Sequence, residues 1–131
     1  MGVIVGLKAA DAPVVTAPDG SRVRVLLATP AASTALFELD PGQVAAAVVH
    51  ATVDELWFVH AGRGRLWRAR DGIEQVTELE PGLSLAIPCG TRFQFRAAAD
   101  QGLVVLGVTL PPWPGEGEAA RVPGPWEHSA P

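Results

Sequence analysis

The sequence predicts an all-β protein that closes into a barrel or a double-sheet jelly roll. Fourteen glycines and twelve prolines punctuate the 131 residues and separate short apolar runs, a pattern typical of strands joined by turns. Almost no stretch shows the periodicity of a helix. Roughly ten such strands would expose unpaired edges unless the sheets closed on themselves. An immunoglobulin-like sandwich is the alternative, although the single cysteine excludes the disulfide of that fold.

The predicted strands follow one another between turn signals. Val3–Leu7 is a candidate edge strand, and an Ala-Pro-Asp-Gly turn comes before Arg22–Ala28. The later predicted strands, separated by Asp-Pro-Gly, Asp-Gly and Glu-Pro-Gly turns, are Thr34–Leu39, Gly64–Ala69, Glu74–Leu79, Leu83–Pro88, Arg92–Ala97 and Leu103–Leu110. We expect Leu83–Pro88 and Arg92–Ala97 to pair with each other. Leu103–Leu110 is apolar almost throughout, which predicts burial on both faces.

The segment Pro41–Gly64 is the centre of the functional prediction. Its pattern predicts two strands joined by a tight polar turn, with His50 at the end of the first strand and Glu55 at the start of the second. Because side chains alternate along a strand, both residues can point into one apolar interior. Burial should then raise the pKa of Glu55, and the pairing should keep His50 charged.

The composition of the chain restricts the kinds of partner that we expect it to bind. The formal net charge is −4 and the basic residues are scattered, which argues against nucleic acid or an anionic membrane surface as a partner. No apolar run approaches the roughly 20 residues of a membrane span, and no secretion signal is evident at the N-terminus. We therefore expect a cytoplasmic protein that binds a small molecule.

The domain organisation is one barrel with an extension. Residues 1–110 form the predicted barrel, and residues 111–131 are too rich in proline for a helix or a central strand. This C-terminal tail carries Trp113 and Trp126. Large aromatic side chains favour packing, so we expect the tail to be extended and to lie on the barrel or on a second copy of the chain.

The central segment resembles the first motif of the cupin family. In that motif a glycine is followed, at fixed spacings, by a His-x-His pair, a glutamate and a second glycine. The corresponding residues are Gly42, Val48, His50, Glu55 and Gly62, so every spacing fits and one histidine is replaced by valine.

The second cupin motif keeps the spacing of its glycines and proline, but its histidine and asparagine are replaced by apolar residues. Its Gly, Pro-x-Gly, His and Asn positions correspond to Gly82, Pro88, Gly90, Phe93 and Ala97. The resemblance covers residues 37–110. It implies a single-domain jelly-roll cupin, a double-stranded β-helix, and by the habit of the family a homodimer.

Metal-binding cupins hold one divalent ion with the two histidines and the glutamate of the first motif and the histidine of the second. By resemblance, this chain retains His50 and Glu55 and replaces the other two ligands with Val48 and Phe93. Two protein ligands rarely hold a first-row metal. We therefore expect no cofactor, with a weakly held divalent metal at His50 and Glu55 as the remaining alternative.

An acid and a base in an apolar pocket suit the movement of a proton beside a carbonyl. We predict catalytic roles for His50 and Glu55, with substrate-binding residues Val48, Thr52, Trp57, Trp67, Phe93 and Phe95. The favoured function is metal-independent isomerase, epimerase, cyclase or lyase chemistry on a small biosynthetic or carbohydrate-like intermediate. The alternatives are a non-catalytic ligand-binding or sensing cupin, and a weak-metal oxygenase or lyase.

Overall fold

The computed structural model describes residues 5–130 and contains eleven strands, one three-residue 3₁₀ turn at Ala9–Asp11 and no α-helix within that range. The strands are β1 Val14–Thr16, β2 Arg22–Ala28, β3 Ser33–Leu39, β4 Val48–His50, β5 Asp54–Gly62, β6 Gly64–Arg70, β7 Ile73–Leu79, β8 Ser84–Ile87, β9 Arg92–Ala97, β10 Leu103–Leu110 and β11 Ala119–Arg121. In residues 5–130 no helix is long and apolar enough to cross a bilayer. The all-β prediction is confirmed.

Two antiparallel sheets face each other across the core. The larger sheet has the order β1-β2-β3-β10-β5-β8, and the smaller has the order β11-β4-β9-β6-β7. Inward-facing side chains alternate with outward-facing ones, most clearly along β5, where Glu55, Trp57 and Val59 are buried between exposed neighbours. Side chains of both sheets form one apolar core. This double-sheet arrangement is the predicted jelly roll.

The predicted pairing of two adjacent strand pairs is wrong. β4 and β5 lie in different sheets, as do β8 and β9. β8 pairs with β5, and β9 lies between β4 and β6. The short turns at 51–53 and 88–91 therefore carry the chain from one sheet to the other. Side-chain alternation predicted the inward faces, but it contains no information on which sheet a strand joins.

Several element boundaries differ from the predictions. Only Val48–His50 of the first half of the central segment is a strand, and Val44 contributes one isolated bridge to Arg96. Residues 5–7 are not in a strand, and positions 3 and 4 of the predicted Val3–Leu7 strand lie outside the described residues. β10 alternates between buried and half-buried residues. Its outer face is not covered by another layer, so burial on both faces was wrong.

Residues 119–130 run along the smaller sheet. β11 pairs with β4, with Ala119 opposite His50. Further on, the half-buried Val122 and Trp126 pack against Ala47, Trp67 and Ala69 on the outer side of that sheet. The buried side chain of Gln94 donates hydrogen bonds to the carbonyls of Ala45 and Trp126, and its Oε1 accepts one from the Trp126 N–H. These contacts attach the last segment to the outer face.

Candidate functional site

A cavity of about 340 Å³ lies between the two sheets. Its walls are mostly apolar, and its polar side chains are few. The polar or ionisable residues that border it are Thr16, Asp19, Ser33, Thr34, His50, Glu55 and Thr109. A mainly apolar hollow with a small number of convergent polar groups is the usual form of a small-molecule site.

His50 and Glu55 come from opposite sheets and lie next to each other at the wall of this cavity. His50 ends β4 beside β11, and Glu55 lies in β5 between β10 and β8. The distance from His50 Nδ1 to Glu55 Oε1 is 3.7 Å, which is longer than a hydrogen bond. Both side chains are buried, with 7% and 2% of their surface exposed. His50 Nδ1 has no hydrogen-bond partner within residues 5–130.

Burial raises the pKa of Glu55 to about 8. The indole N–H of Trp57 opposes part of this rise, and the negative charge of Asp19 adds to it. The Trp57 Nε1 atom is itself buried without a hydrogen bond of good geometry in the described chain, so its influence on the carboxyl is electrostatic. Glu55 is therefore a neutral carboxylic acid near pH 7 and can donate a proton.

Burial lowers the pKa of His50, while the charge of Glu118 acts in the opposite direction. This result reverses the expectation that pairing keeps His50 charged. An ion pair would require an ionised Glu55, and the buried carboxyl holds its proton instead. His50 is consequently a neutral imidazole that can accept a proton. The two groups have the protonation states of a general acid and a general base.

Four of the predicted binding residues line the cavity, namely Val48, Trp57, Phe93 and Phe95. The ring centroids of Trp57 and Phe95 are 5.0 Å apart, and those of His50 and Phe93 are 5.2 Å apart, in edge-to-face contacts. This geometry is favourable for aromatic pairs and holds the imidazole at a fixed angle to the wall.

Thr52 and Trp67 do not line the cavity. Trp67 points to the outer face of the smaller sheet, where it packs against residues of the C-terminal segment and donates a hydrogen bond to Glu74. Thr52 lies in the exposed turn between β4 and β5. Position 67 follows the inward-facing Leu66, so strand alternation places it outside.

Glu118 holds the turn that joins the two site residues. Its carboxylate accepts hydrogen bonds from the Thr52 N–H, the Thr52 hydroxyl and the Val53 N–H, at 2.8, 2.5 and 2.9 Å. Burial tends to raise the pKa of Glu118, but these hydrogen bonds outweigh it and lower the pKa. An ionised Glu118 therefore fixes the three-residue turn between β4, which ends at His50, and β5, which carries Glu55.

Several cavity residues were not predicted from the sequence. Phe37 and Trp113 contribute rings, with the Trp113 centroid 5.2 Å from that of His50. Asp19, in the turn before β2, contributes a second buried carboxyl. Gly107 on β10 leaves room for its neighbours, because a Cβ there would overlap the ring of Phe37 and come within 3.1 Å of Glu55 Oε2. The glycine in an apolar strand was the available signal for such a close approach.

The residues at the four metal-ligand positions of the cupin motifs do not fit a bound metal ion. Val48 and Phe93 are opposite each other on β4 and β9 and both border the cavity, but neither has an atom that can bind a cation. Within residues 5–130 no group of three His, Cys, Asp or Glu side chains has an arrangement that could hold one. Catalytic metal sites usually use three or more protein ligands.

A family model described as the cupin domain matches residues 35–109, more than half of the chain. The chain belongs to the cupin family. The resemblance to the cupin family that was stated from the sequence is therefore confirmed. No curated protein matches this cupin.

Solved structures share the fold of this cupin at low identity. The polyketide cyclase RemF from Streptomyces resistomycificus is 19% identical, with a TM-score of 0.75 over 92% of this chain and 86% of that chain. PAC13 from Streptomyces, solved with uridine, is 12% identical, with a TM-score of 0.73 over 92% of each chain. KdgF from a Halomonas species is 17% identical, with a TM-score of 0.68 over 83% and 94%. These similarities show a shared fold.

Proposed function

We propose that this cupin catalyses metal-independent acid–base chemistry on a small molecule, of the isomerase, epimerase, cyclase or lyase type. The observation that carries the proposal is the pair of His50 and Glu55, which share one apolar cavity in opposite chemical roles. Glu55 is the proton donor and His50 is the acceptor. The similar structures include a polyketide cyclase and PAC13, described as a nucleoside dehydratase, and both names fit reactions that move protons.

The proposed mechanism uses the unpaired buried nitrogen of His50. A substrate carbonyl that reaches the protonated Glu55 accepts a hydrogen bond or a proton from it, while neutral His50 removes a proton from the adjacent carbon. The 3.7 Å separation of the two groups leaves them unbonded to each other before substrate arrives, and catalytic hydrogen bonds often tighten only in the complex. The aromatic walls keep water away and so strengthen both interactions.

Deuterium exchange tests this chemistry without knowledge of the natural substrate. The protein is incubated in D₂O containing a chelator with aryl ketones of the size of 2-tetralone, and NMR measures deuterium uptake beside the carbonyl. We expect catalysed exchange that falls at least tenfold in His50→Gln and Glu55→Gln, since general acid–base groups contribute about 10²–10⁴-fold. His60→Gln is the matched control, because His60 is exposed on the outer face of β5.

Each other result has a defined meaning. Exchange that persists in His50→Gln would contradict the role of His50. Ketone binding without exchange in the wild-type protein would favour the ligand-binding alternative. About one first-row metal ion per chain by elemental mass spectrometry, lost in His50→Gln, would contradict metal independence.

We also propose a homodimer formed through the outer face of the larger sheet. Leu56 and Phe58 on β5 are 49% and 45% exposed. In register beside them are Val108 and Leu106 on β10, both half-buried. A continuous apolar surface of this kind is typical of a protein interface, and a second copy would bury the same patch on both sides of a two-fold axis.

Sedimentation analysis tests the dimer. We expect a dimer for the wild-type protein and a monomer for Leu56→Lys, because the new charges would face each other across the interface. Ile73→Lys is the control, since Ile73 is exposed on β7 of the other sheet. Weak dimers have dissociation constants of roughly µM to mM. A wild-type protein that is monomeric at about 50 µM would contradict the proposal. The cytoplasmic location remains a prediction.

A further inference from the structure

The cavity has a second buried carboxyl that the proposed mechanism does not use. Asp19 borders the same hollow as His50 and Glu55 and is 8% exposed. Its Oδ1 accepts hydrogen bonds from the N–H and the hydroxyl of Ser21, at 2.9 and 2.6 Å. The turn that carries it is joined to the segment before β4 by a 2.8 Å bond from the Ala46 N–H to the Asp19 carbonyl. Asp19 is therefore held in place at the wall.

The two carboxyls influence each other. Burial is the main cause that raises the pKa of Asp19, and Ser21 and the charge of Arg121 oppose it. A negative charge on Asp19 raises the pKa of Glu55 in turn, so the two groups lie within electrostatic reach. Buried carboxyls without a cationic partner in the cavity are costly when ionised. A positive charge beside Asp19 would remove that cost for this carboxyl, whereas Glu55 avoids the cost by keeping its proton.

The lining contains no positive charge of its own. Among the described residues that border the cavity there is neither lysine nor arginine, and Arg121 lies outside it. The remaining base, His50, is neutral because burial lowers its pKa. An anionic ligand would therefore meet two carboxyls and no cation.

The walls of the cavity contain aromatic side chains that can contact an organic cation. Phe37, Trp57, Phe93 and Trp113 present aromatic rings to the cavity, and the faces of aromatic rings attract organic cations. An unpartnered polar atom points to a missing ligand. His50 Nδ1 has no hydrogen-bond partner in the described chain, and its residue is 7% exposed.

We infer that the cavity selects an apolar or aromatic small molecule that carries an amine, with Asp19 beside the ammonium group and the rings around the apolar part. The inference deepens the proposed function, since it assigns a substrate class to the same cavity. Asp19 is a binding residue in this arrangement, and His50 retains its role as base toward the body of the ligand.

Three probes of nearly equal shape test the charge preference. Phenethylamine, phenethyl alcohol and 3-phenylpropionate are a cation, a neutral molecule and an anion at pH 7. Binding is followed by titrating the tryptophan indole N–H signals in NMR spectra. We expect the amine to bind at least tenfold more tightly than the alcohol and the carboxylate to bind most weakly. A tenfold change corresponds to about 1.4 kcal/mol.

Asp19→Asn keeps the shape of the side chain and removes its charge. We expect this variant to lose most of the amine preference and to keep its affinity for the alcohol. Asp71→Asn is the matched control, because Asp71 is exposed on the β6–β7 turn and has a positive φ of 52° that asparagine also tolerates. A variant that failed to fold would lose alcohol binding as well, and Asp19→Glu would then be tested for retention of the preference.

The outcomes separate this inference from the proposed function. Equal affinity for amine and alcohol, tighter binding of the carboxylate, or no binding of the amine at 10 mM, well above the roughly mM affinity of very weak ligands, would overturn the amine assignment. Ketone deuterium exchange could still be present in each of those cases. Amine preference without any deuterium exchange would retain the assignment and contradict the catalytic proposal.

Discussion

Glu55 shows most directly how burial controls chemistry in this protein. It lies opposite Thr109 on β10 and Ile87 on the edge strand β8 of the larger sheet, and 2% of its side chain is exposed. Among residues 5–130, no lysine or arginine that borders the cavity compensates for that burial. The same burial that suits Glu55 to donate a proton should therefore make the folded protein sensitive to pH.

Replacing Glu55 by Gln should remove part of this pH dependence. The unfolded chain ionises Glu55 near its ordinary pKa of 4.5, whereas the folded chain keeps the proton up to about 8. The wild-type protein therefore loses stability as pH rises through this window, by roughly 5 kcal/mol at most from this group. Urea unfolding at pH 5, 7 and 9 should show a smaller loss in Glu55→Gln.

Glu116→Gln is the control for that measurement, because Glu116 is an exposed carboxyl in the C-terminal segment. Its stability should follow the wild-type curve at every pH. Parallel curves for the wild type and Glu55→Gln would show that Glu55 ionises normally in the folded state, and they would contradict its role as the acid.

At the scale of elements, the short turn from β4 to β5 sets the geometry of the site. It crosses from one sheet to the other in three residues, and its backbone N–H groups at Thr52 and Val53 are bonded to the Glu118 carboxylate. β11, which starts next to Glu118, pairs with the strand that carries His50. A residue of the C-terminal segment thus positions both catalytic candidates without bordering the cavity.

Glu118→Ala should loosen this turn. Hydrogen bonds to a charged group are worth about 1.5–3 kcal/mol each, and several are lost together, so we expect a loss of at least 2 kcal/mol in urea unfolding. The pKa of His50, followed by NMR of its ring, should fall further because the charge of Glu118 supports its protonation. Glu116→Ala, on the exposed part of the same segment, should leave both quantities unchanged. An unaltered His50 pKa in Glu118→Ala would contradict the electrostatic coupling.

The strands were more predictable than their pairing. Arg22–Ala28, Arg92–Ala97 and Leu103–Leu110 agree with the structure to the residue, because turn residues bound each run. The two sheet-crossing turns were read as hairpins, since a short turn between two apolar runs has the same local pattern in both cases. Only long-range pairing, such as that of β3 with β10, decides between them.

The site was predictable where its residues fall within one of the two cupin motifs. The motif spacing and side-chain alternation brought His50 and Glu55 together across one turn. Asp19, Phe37 and Trp113 reach the cavity from distant segments, and no local pattern marks them. The protonation states of His50 and Glu55 depend on how deeply each side chain is buried, which is a property of the whole core. Sequence reasoning could therefore identify the pair but not its protonation.

For the molecule as a whole, Gln94 connects the barrel to the C-terminal segment. It is 1% exposed, and its amide bonds to Ala45 and to both backbone groups of Trp126. The segment in turn covers Trp67 and Ala47 on the outer face. Buried amides in such a position stabilise only while all their partners are present.

Gln94→Leu should detach the segment near Trp126. The variant keeps a similar volume and leaves three backbone groups without partners, at about 1–3 kcal/mol for each group that stays buried. We expect faster amide hydrogen exchange in residues 122–130 and lower stability. Gln101→Leu, on an exposed loop, is the control. Unchanged exchange in residues 122–130 would show that the apolar contacts of Trp126 hold the segment by themselves.

The origin of His50 and Glu55 in opposite sheets has a consequence for folding. β3 and β10 are separated by more than 60 residues in the chain and must pair before the larger sheet exists, and such non-local pairing is slow because long loops must close first. The distance between the two catalytic candidates is defined only after both sheets have docked. Acquisition of activity during refolding should therefore coincide with the last step of global folding, and no partly folded species would be reactive.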